Sequence, residues 1–220
     1  LEPQLIELQG FPSLYAFQGW LPGVFSRHFP ISNTLTPFLS ATDFQDYNEQ
    51  MRQFLLAGQP AENVVLLELF PERQKTRIDF VLTTKLWGIK SVCLTKIKKN
   101  GRQLFYESEG RLILINRIYN RVIFDELTRY PELQTEFNFS DSVDVTWIGH
   151  PNWFFRVSKY TLPLLQGPFV PPSYYLHELT QYPTDLENYV LKPLFSFAGA
   201  GVRLHFTAAD LDTLPDKTTY

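Results

Sequence analysis

A lysine stands inside an apolar run late in the sequence, Tyr189-Val190-Leu191-Lys192-Pro193-Leu194-Phe195, and is followed by Ser196 and a loop carrying Gly199 and Gly201. An ammonium held among apolar neighbours is costly unless an anion compensates its lost hydration, so Lys192 asks for a phosphate or a carboxylate. Two glycines close by let backbone N–H groups approach phosphate oxygens with no Cβ in the way. The pattern suits a phosphate-binding loop. An ordinary hairpin, with a lysine whose stem is buried and whose head reaches water, fits the same residues. Two commoner nucleotide motifs fit worse. Leu204 occupies the place of the third glycine of a dinucleotide fingerprint, and there is no Gly-Lys-Ser/Thr triplet for a P-loop.

Arg117 and Arg121 lie four apart around Tyr119-Asn120, just past an apolar run. The planar fork of arginine suits a substrate carboxylate or a phosphate, and a salt bridge to Asp125 or Glu126 would use the same groups. Of the two, Arg121 lies further past the strand, where open α/β sheets present their ligand contacts. His28, His150, His177 and His205 have no metal-ligand spacing. No glycine-flanked serine is present, and the single cysteine, Cys93, sits in an apolar run, so neither a serine nor a cysteine nucleophile is indicated.

The elements that must position these groups follow from periodicity. Leu5 to Gln9 reads as a short strand, and Gly10, Pro12, Gly19, Pro22, Gly23 and Pro30 mark a long irregular connection after it. Thr42 with Gln45 makes a capping-box pattern that opens a helix, on which Phe44, Tyr47, Met51, Phe54 and Leu55 form an apolar stripe ended by Gly58 and Pro60. Asn63 to Phe70 reads as a strand buried on both faces, as in a parallel sheet. A helix from about Gln74 to Trp87, capped by Gly88, leads to a second strand, Ile89 to Ile97, which completes a βαβ unit. Asn100-Gly101 turns a hairpin into Gln103 to Tyr106, and Arg111 to Ile118 and Val143 to Ile148 read as further strands. The pattern predicts a short helix at Val157 to Leu165 broken by Pro163. Asn188 to Phe195 and Val202 to Phe206 are predicted as a strand pair.

Composition limits the function classes. With 220 residues, 44% of them hydrophobic, the chain can bury a substantial core, and an aromatic share of 15% argues against disorder. A net charge of -3, with Lys96 to Lys99 the single basic cluster, gives no electrostatic footprint for nucleic acid or an anionic membrane. No apolar run reaches the roughly 18 residues of a membrane span, and the N-terminus lacks the build of a signal peptide. One cysteine cannot form an internal disulfide, so a reducing, cytoplasmic setting is expected. The start at Leu1 and the end at Tyr220 suggest a piece of a longer protein.

The tail resembles the first lobe of the ATP-grasp superfamily, in which a strand similar to "VxKP" precedes a glycine-rich loop over the nucleotide phosphates and an earlier lysine lies at the entry to the lobe. Ser158-Lys159-Tyr160 occupies that earlier place. The superfamily also carries a strand resembling "ExN" whose acid and amide hold Mg²⁺. Here Glu7-Leu8-Gln9 matches it at the start of the chain rather than near the end, with Gln9 replacing the usual asparagine. That order resembles the circularly permuted branch, which includes glutathionylspermidine synthase-like ligases. In that branch the acid-amide strand leads to a Rossmann-like domain, an arginine-bearing strand, the first lysine and finally the "KP" strand.

The resemblance implies an α/β protein with a permuted ATP-grasp fold: residues 1–40 as the metal-strand part, 41–150 as the Rossmann-like pre-ATP-grasp domain and 151–220 as the nucleotide lobe. It implies ATP on Lys159, Lys192, Ser196, Gly199 and Gly201, Mg²⁺ on Glu7 and Gln9, and an acidic substrate on Arg121. The implied reaction is ligation of small carboxylate and amine substrates through an acyl-phosphate. Phe197-Ala198 stands where the glutathionylspermidine relatives tend to show a charged pair, so their substrate does not carry over. Two other readings stay open: a nucleotide-binding regulatory module or pseudoenzyme of the same fold, and a protein-interaction domain in which Lys192 is structural.

Overall fold

The structure, a computed structural model, describes residues 2–196 and 199–220. It is a mixed α/β protein with one parallel and one antiparallel sheet, and the chain divides into two compact units, residues 12–151 and residues 1–11 with 152–220.

The larger unit opens with helices α1 (Tyr15–His28) and α2 (Phe44–Leu56). Strand β1 (Val64–Glu68), helix α3 (Arg77–Trp87) and strand β2 (Lys90–Cys93) follow, and β1 and β2 pair in parallel with Val65 opposite Lys90. The predicted βαβ unit is therefore present, closed by Gly88 in the left-handed conformation at φ 72. Strands β3 (Lys98–Asn100), β4 (Gln103–Ser108) and β5 (Arg111–Ile115) make the antiparallel sheet. The chain then returns to the parallel sheet as β6 (Arg117–Asn120), passes through the short helix α4 (Phe124–Leu127) and ends in β7 (Thr146–Ile148), giving the order β2-β1-β6-β7. The run Arg111 to Ile118 is thus two strands in two sheets. Between them Asn116 bonds through its amide to the Asn63 carbonyl and through its side chain to Gln59.

The unbroken apolar row of β1 has a direct cause. Side chains alternate across a strand, so Val65 and Leu67 enter a core with Ile97, Leu104, Ile115 and Phe137, while Val64 and Leu66 enter another with Leu55, Phe80, Trp87 and Tyr119. Both faces are covered, as parallel pairing requires.

Helix α1 corrects the irregular connection expected over that stretch. Pro22 lies inside it, and Leu14, at the N-cap position just before it, offers no side-chain cap. The cap comes from elsewhere, because Asp79 Oδ1 of α3 accepts the Phe17 amide at 2.9 Å. Gly19 lets the helix approach α2, where a Cβ would lie 2.3 Å from the Tyr47 ring. The cap of α2 is Asp43, whose Oδ1 accepts the Asp46 amide, rather than the expected Thr42 with Gln45; Thr42 donates to Asp46 Oδ2.

The smaller unit is built mostly from 3-10 turns, with two short helices, α5 (Trp153–Arg156) and α6 (Ala208–Asp212), around a core of Leu176, Leu191 and Leu211. Three expectations are corrected here. Leu5 to Gln9 belongs to no helix or sheet. Lys159–Leu164 is a 3-10 turn, opened by a Ser158–Thr161 capping box, with Pro163 inside it. The pair Asn188 to Phe195 and Val202 to Phe206 is reduced to one bridge, Leu191 with Arg203. Pro193 has no N–H to extend that ladder, and the next amide, Leu194, donates to Thr219 instead at 2.8 Å. Among the described residues no helix is long and apolar enough to cross a membrane.

Candidate functional site

In the smaller unit, Ser158 caps the turn that begins at Lys159 and so fixes the direction of the lysine stem. Lys159 is 7% exposed, and its Nζ donates to the Ser196 carbonyl at 2.7 Å. Lys192, beside the Leu191–Arg203 bridge, is half-buried and donates to the Ile6 carbonyl at 2.5 Å. Neither ammonium forms an ion pair among the described residues. Each is held by a neutral carbonyl, which orients the charge without cancelling it.

Both lysines line one cavity of about 440 Å³. Its walls are largely apolar, including Leu162, Pro172, Val190 and Leu194, and they carry one carboxylate, Asp185, which accepts from Asn188 at 3.2 Å. A cavity with apolar walls and two ammonium groups fits a ligand with a flat or apolar part and an anionic part.

Lys159 also borders a small cleft of about 20 Å³ with Glu7, Gln9 and Ser196. Glu7 and Gln9 are both exposed. Gly10 ends this segment in a tight place. Its amide donates to the Val157 carbonyl at 2.6 Å, and an added Cβ would lie 2.4 Å from the Trp153 carbonyl oxygen. The Ser196 hydroxyl oxygen is buried and has no hydrogen-bond partner among the described residues.

Glu7 and Gln9 supply one carboxylate and one amide oxygen. No group of three His, Cys, Asp or Glu side chains that could hold a metal occurs among the described residues. The donor set is too small for an all-protein cation cage. It fits a magnesium ion that takes its remaining ligands from phosphate oxygens and water.

Gly199 and Gly201 are exposed and take positive φ, 75 and 73. Gly201 also lies against Pro193, where a Cβ would be 2.7 Å from the ring. Phe197 and Ala198, in the middle of the same loop, lie outside the described residues.

Arg121 belongs to the larger unit. It follows β6, its amide donates to the Leu67 carbonyl at 2.8 Å, and its guanidinium, 5% exposed, lies over the Phe80 ring at 5.7 Å. Glu68 and Asp79 act on it electrostatically, and the Asp125 side chain lies outside the described residues. Arg117 serves the fold instead, because its Nε and Nη2 donate to the Leu55 and Phe54 carbonyls in the last turn of α2.

Sequence reasoning missed Glu68 and Asp79, which are 3% and 0% exposed. Burial pushes the Glu68 carboxyl up to about 8, against smaller opposing effects of the Leu69 amide and Arg121. Burial also raises Asp79, against the Phe17 amide and Arg121. The signal was present in part, since Glu68 interrupts the run Val64 to Leu69 and Asp79 lies between Ile78 and Phe80. An acid in an apolar run is a buried-polar candidate by the argument applied to Lys192.

No family model matches the chain, and no curated protein matches it.

Proposed function

We propose that this chain is an ATP-dependent carboxylate–amine ligase of the permuted ATP-grasp type, working in the cytoplasm, with the nucleotide in the cavity of the smaller unit. One observation carries the reading. Lys159 and Lys192, selected from the sequence as phosphate ligands, line the same cavity, and neither is ion-paired among the described residues. Glu7 and Gln9 share the adjoining cleft with Lys159, as a metal next to phosphates would require.

In this reading a carboxylate oxygen of the acid attacks the γ-phosphorus of ATP, the bond to the bridging oxygen breaks, and ADP leaves. The amine nitrogen then attacks the acyl carbon, inorganic phosphate departs, and the amine gives up a proton. Lys159 and Lys192 neutralise the charge of the transferring group and hold it in place, which is most of what phosphoryl transfer asks of a protein. Magnesium, if bound there, would supply positive charge to offset that of the phosphates. Glu7 and Gln9 would hold it from the protein side. The apolar wall of the cavity takes the base, and Ser196, Gly199 and Gly201 approach the phosphates.

The test is a melting-temperature shift with ATP and magnesium, followed by ADP release from the protein screened against amino acids, peptides and polyamines. Binding without release under any pair would favour the nucleotide-binding module without ligase activity. No shift at all would remove the nucleotide and favour an interaction domain.

A further inference from the structure

The segment from Leu5 to Gly10 borders both cavities of the smaller unit. Leu5 and Ile6 line the cavity that holds Lys192, and Glu7 to Gly10 line the cleft beside Lys159. It belongs to no helix or sheet. Among the described residues three hydrogen bonds attach it: the Leu5 amide to the Phe169 carbonyl at 2.7 Å, the Lys192 ammonium to the Ile6 carbonyl at 2.5 Å, and the Gly10 amide to the Val157 carbonyl at 2.6 Å. The Gly10 end is fixed by packing that excludes even a Cβ. Ile6 is 73% exposed, so its side chain adds little apolar burial and the lysine bond fastens this point, between the half-buried Leu5 and Leu8.

We infer that Lys192 is a latch that ties the position of Glu7 and Gln9 to the filling of the cavity. The inference rests on a nucleotide phosphate being what Lys192 meets. A carbonyl offers the ammonium a dipole, whereas a phosphate offers a full negative charge and a stronger hydrogen bond. When the triphosphate enters, the ammonium turns to it and Ile6 is released. The segment then pivots on Gly10, freeing Glu7 and Gln9 to close on a metal carried with the phosphates. Nucleotide binding thereby precedes and permits metal capture, and Lys192 is a positioning residue for the metal ligands as well as a phosphate ligand.

Hydrogen exchange of the segment covering residues 2–11, read by mass spectrometry on the whole chain, tests this. In the free protein, Lys192→Met should speed exchange at the Leu5 amide roughly threefold to tenfold, the effect of losing one hydrogen bond, and leave the Gly10 amide, held by packing, near wild type. Lys192→Arg, which keeps a donor, should leave both near wild type. ATP with EDTA should give wild type the same acceleration and leave Lys192→Met unchanged, whereas ATP with magnesium should slow exchange below that of the free protein. The latch is refuted if Lys192→Met exchanges like wild type without nucleotide. It is also refuted if ATP with EDTA shifts the melting temperature but leaves wild-type exchange unaltered. Absence of any melting shift with ATP refutes the nucleotide as the trigger and the ligase reading with it, and the free-protein comparison still decides whether Lys192 fastens the segment.

Discussion

Lys192 and Ile6 stand 186 positions apart, yet the ammonium of one donates to the carbonyl of the other at 2.5 Å. This contact ties the apolar run late in the chain to the acid-amide segment at its start. A lysine whose charge was answered by an internal carboxylate would be spent on structure. Here the partner is neutral, and the charge remains available to a ligand.

Replacing Lys159 by methionine keeps the apolar stem of the side chain and removes the ammonium from the cavity. ATP affinity, measured by calorimetry in the presence of magnesium, should fall about tenfold or more, corresponding to the loss of one charged hydrogen bond. The melting temperature of the ligand-free protein serves as the check on folding, because the Ser196 carbonyl loses its donor.

Gly10→Ala should destabilise the smaller unit by roughly 2–4 kcal/mol, since the added methyl meets backbone and cannot be accommodated by a rotamer change. The Trp153 carbonyl oxygen would lie 2.4 Å from it and the Val157 Cβ 2.7 Å. Denaturant unfolding measures the loss. A ΔΔG near zero would show that the segment is not seated as described.

Glu68 gives the larger unit a pH dependence. Its carboxyl is pushed up to about 8 by burial, so the folded state holds a proton that an unfolded carboxyl, with an ordinary value of 4.5, has lost. The stabilisation is complete below the unfolded value and disappears as pH rises through about 8. The burial of Asp79 acts with the same sign. Unfolding free energy should therefore fall by roughly 2–4 kcal/mol across that window. Glu68→Gln, which keeps an oxygen for the Leu69 amide, should flatten most of this slope and raise stability at the alkaline end.

Arg117 holds the last turn of α2 through the Leu55 and Phe54 carbonyls. Arg117→Met retains the apolar stem and removes both bonds. The expected cost is about 1–2 kcal/mol in chemical denaturation, with slow amide exchange lost first at the end of α2.

The sequence alone determined the parallel βαβ unit, because a double-sided apolar row such as Val64 to Leu67 can be buried in few other ways and Gly88 marks where α3 must stop. It also singled out Lys192, since an ammonium in an apolar run advertises its need for an anion, whereas Lys159 was reached only through the family resemblance. What it could not determine were contacts whose two halves are far apart in the chain. The cap of α1 is Asp79, 62 positions away, so a stretch holding Gly19, Pro22 and Gly23 and no local cap reads as irregular until α3 is packed against it. The strand pair after Asn188 was overestimated for the converse reason: periodicity suggested a ladder, and the missing N–H of Pro193 with the pull of the Thr219 carbonyl on Leu194 left a single bridge. The acceptors of Lys159 and Lys192 are backbone oxygens, which every residue carries alike. Only tertiary structure could say which two of them meet the ammonium groups.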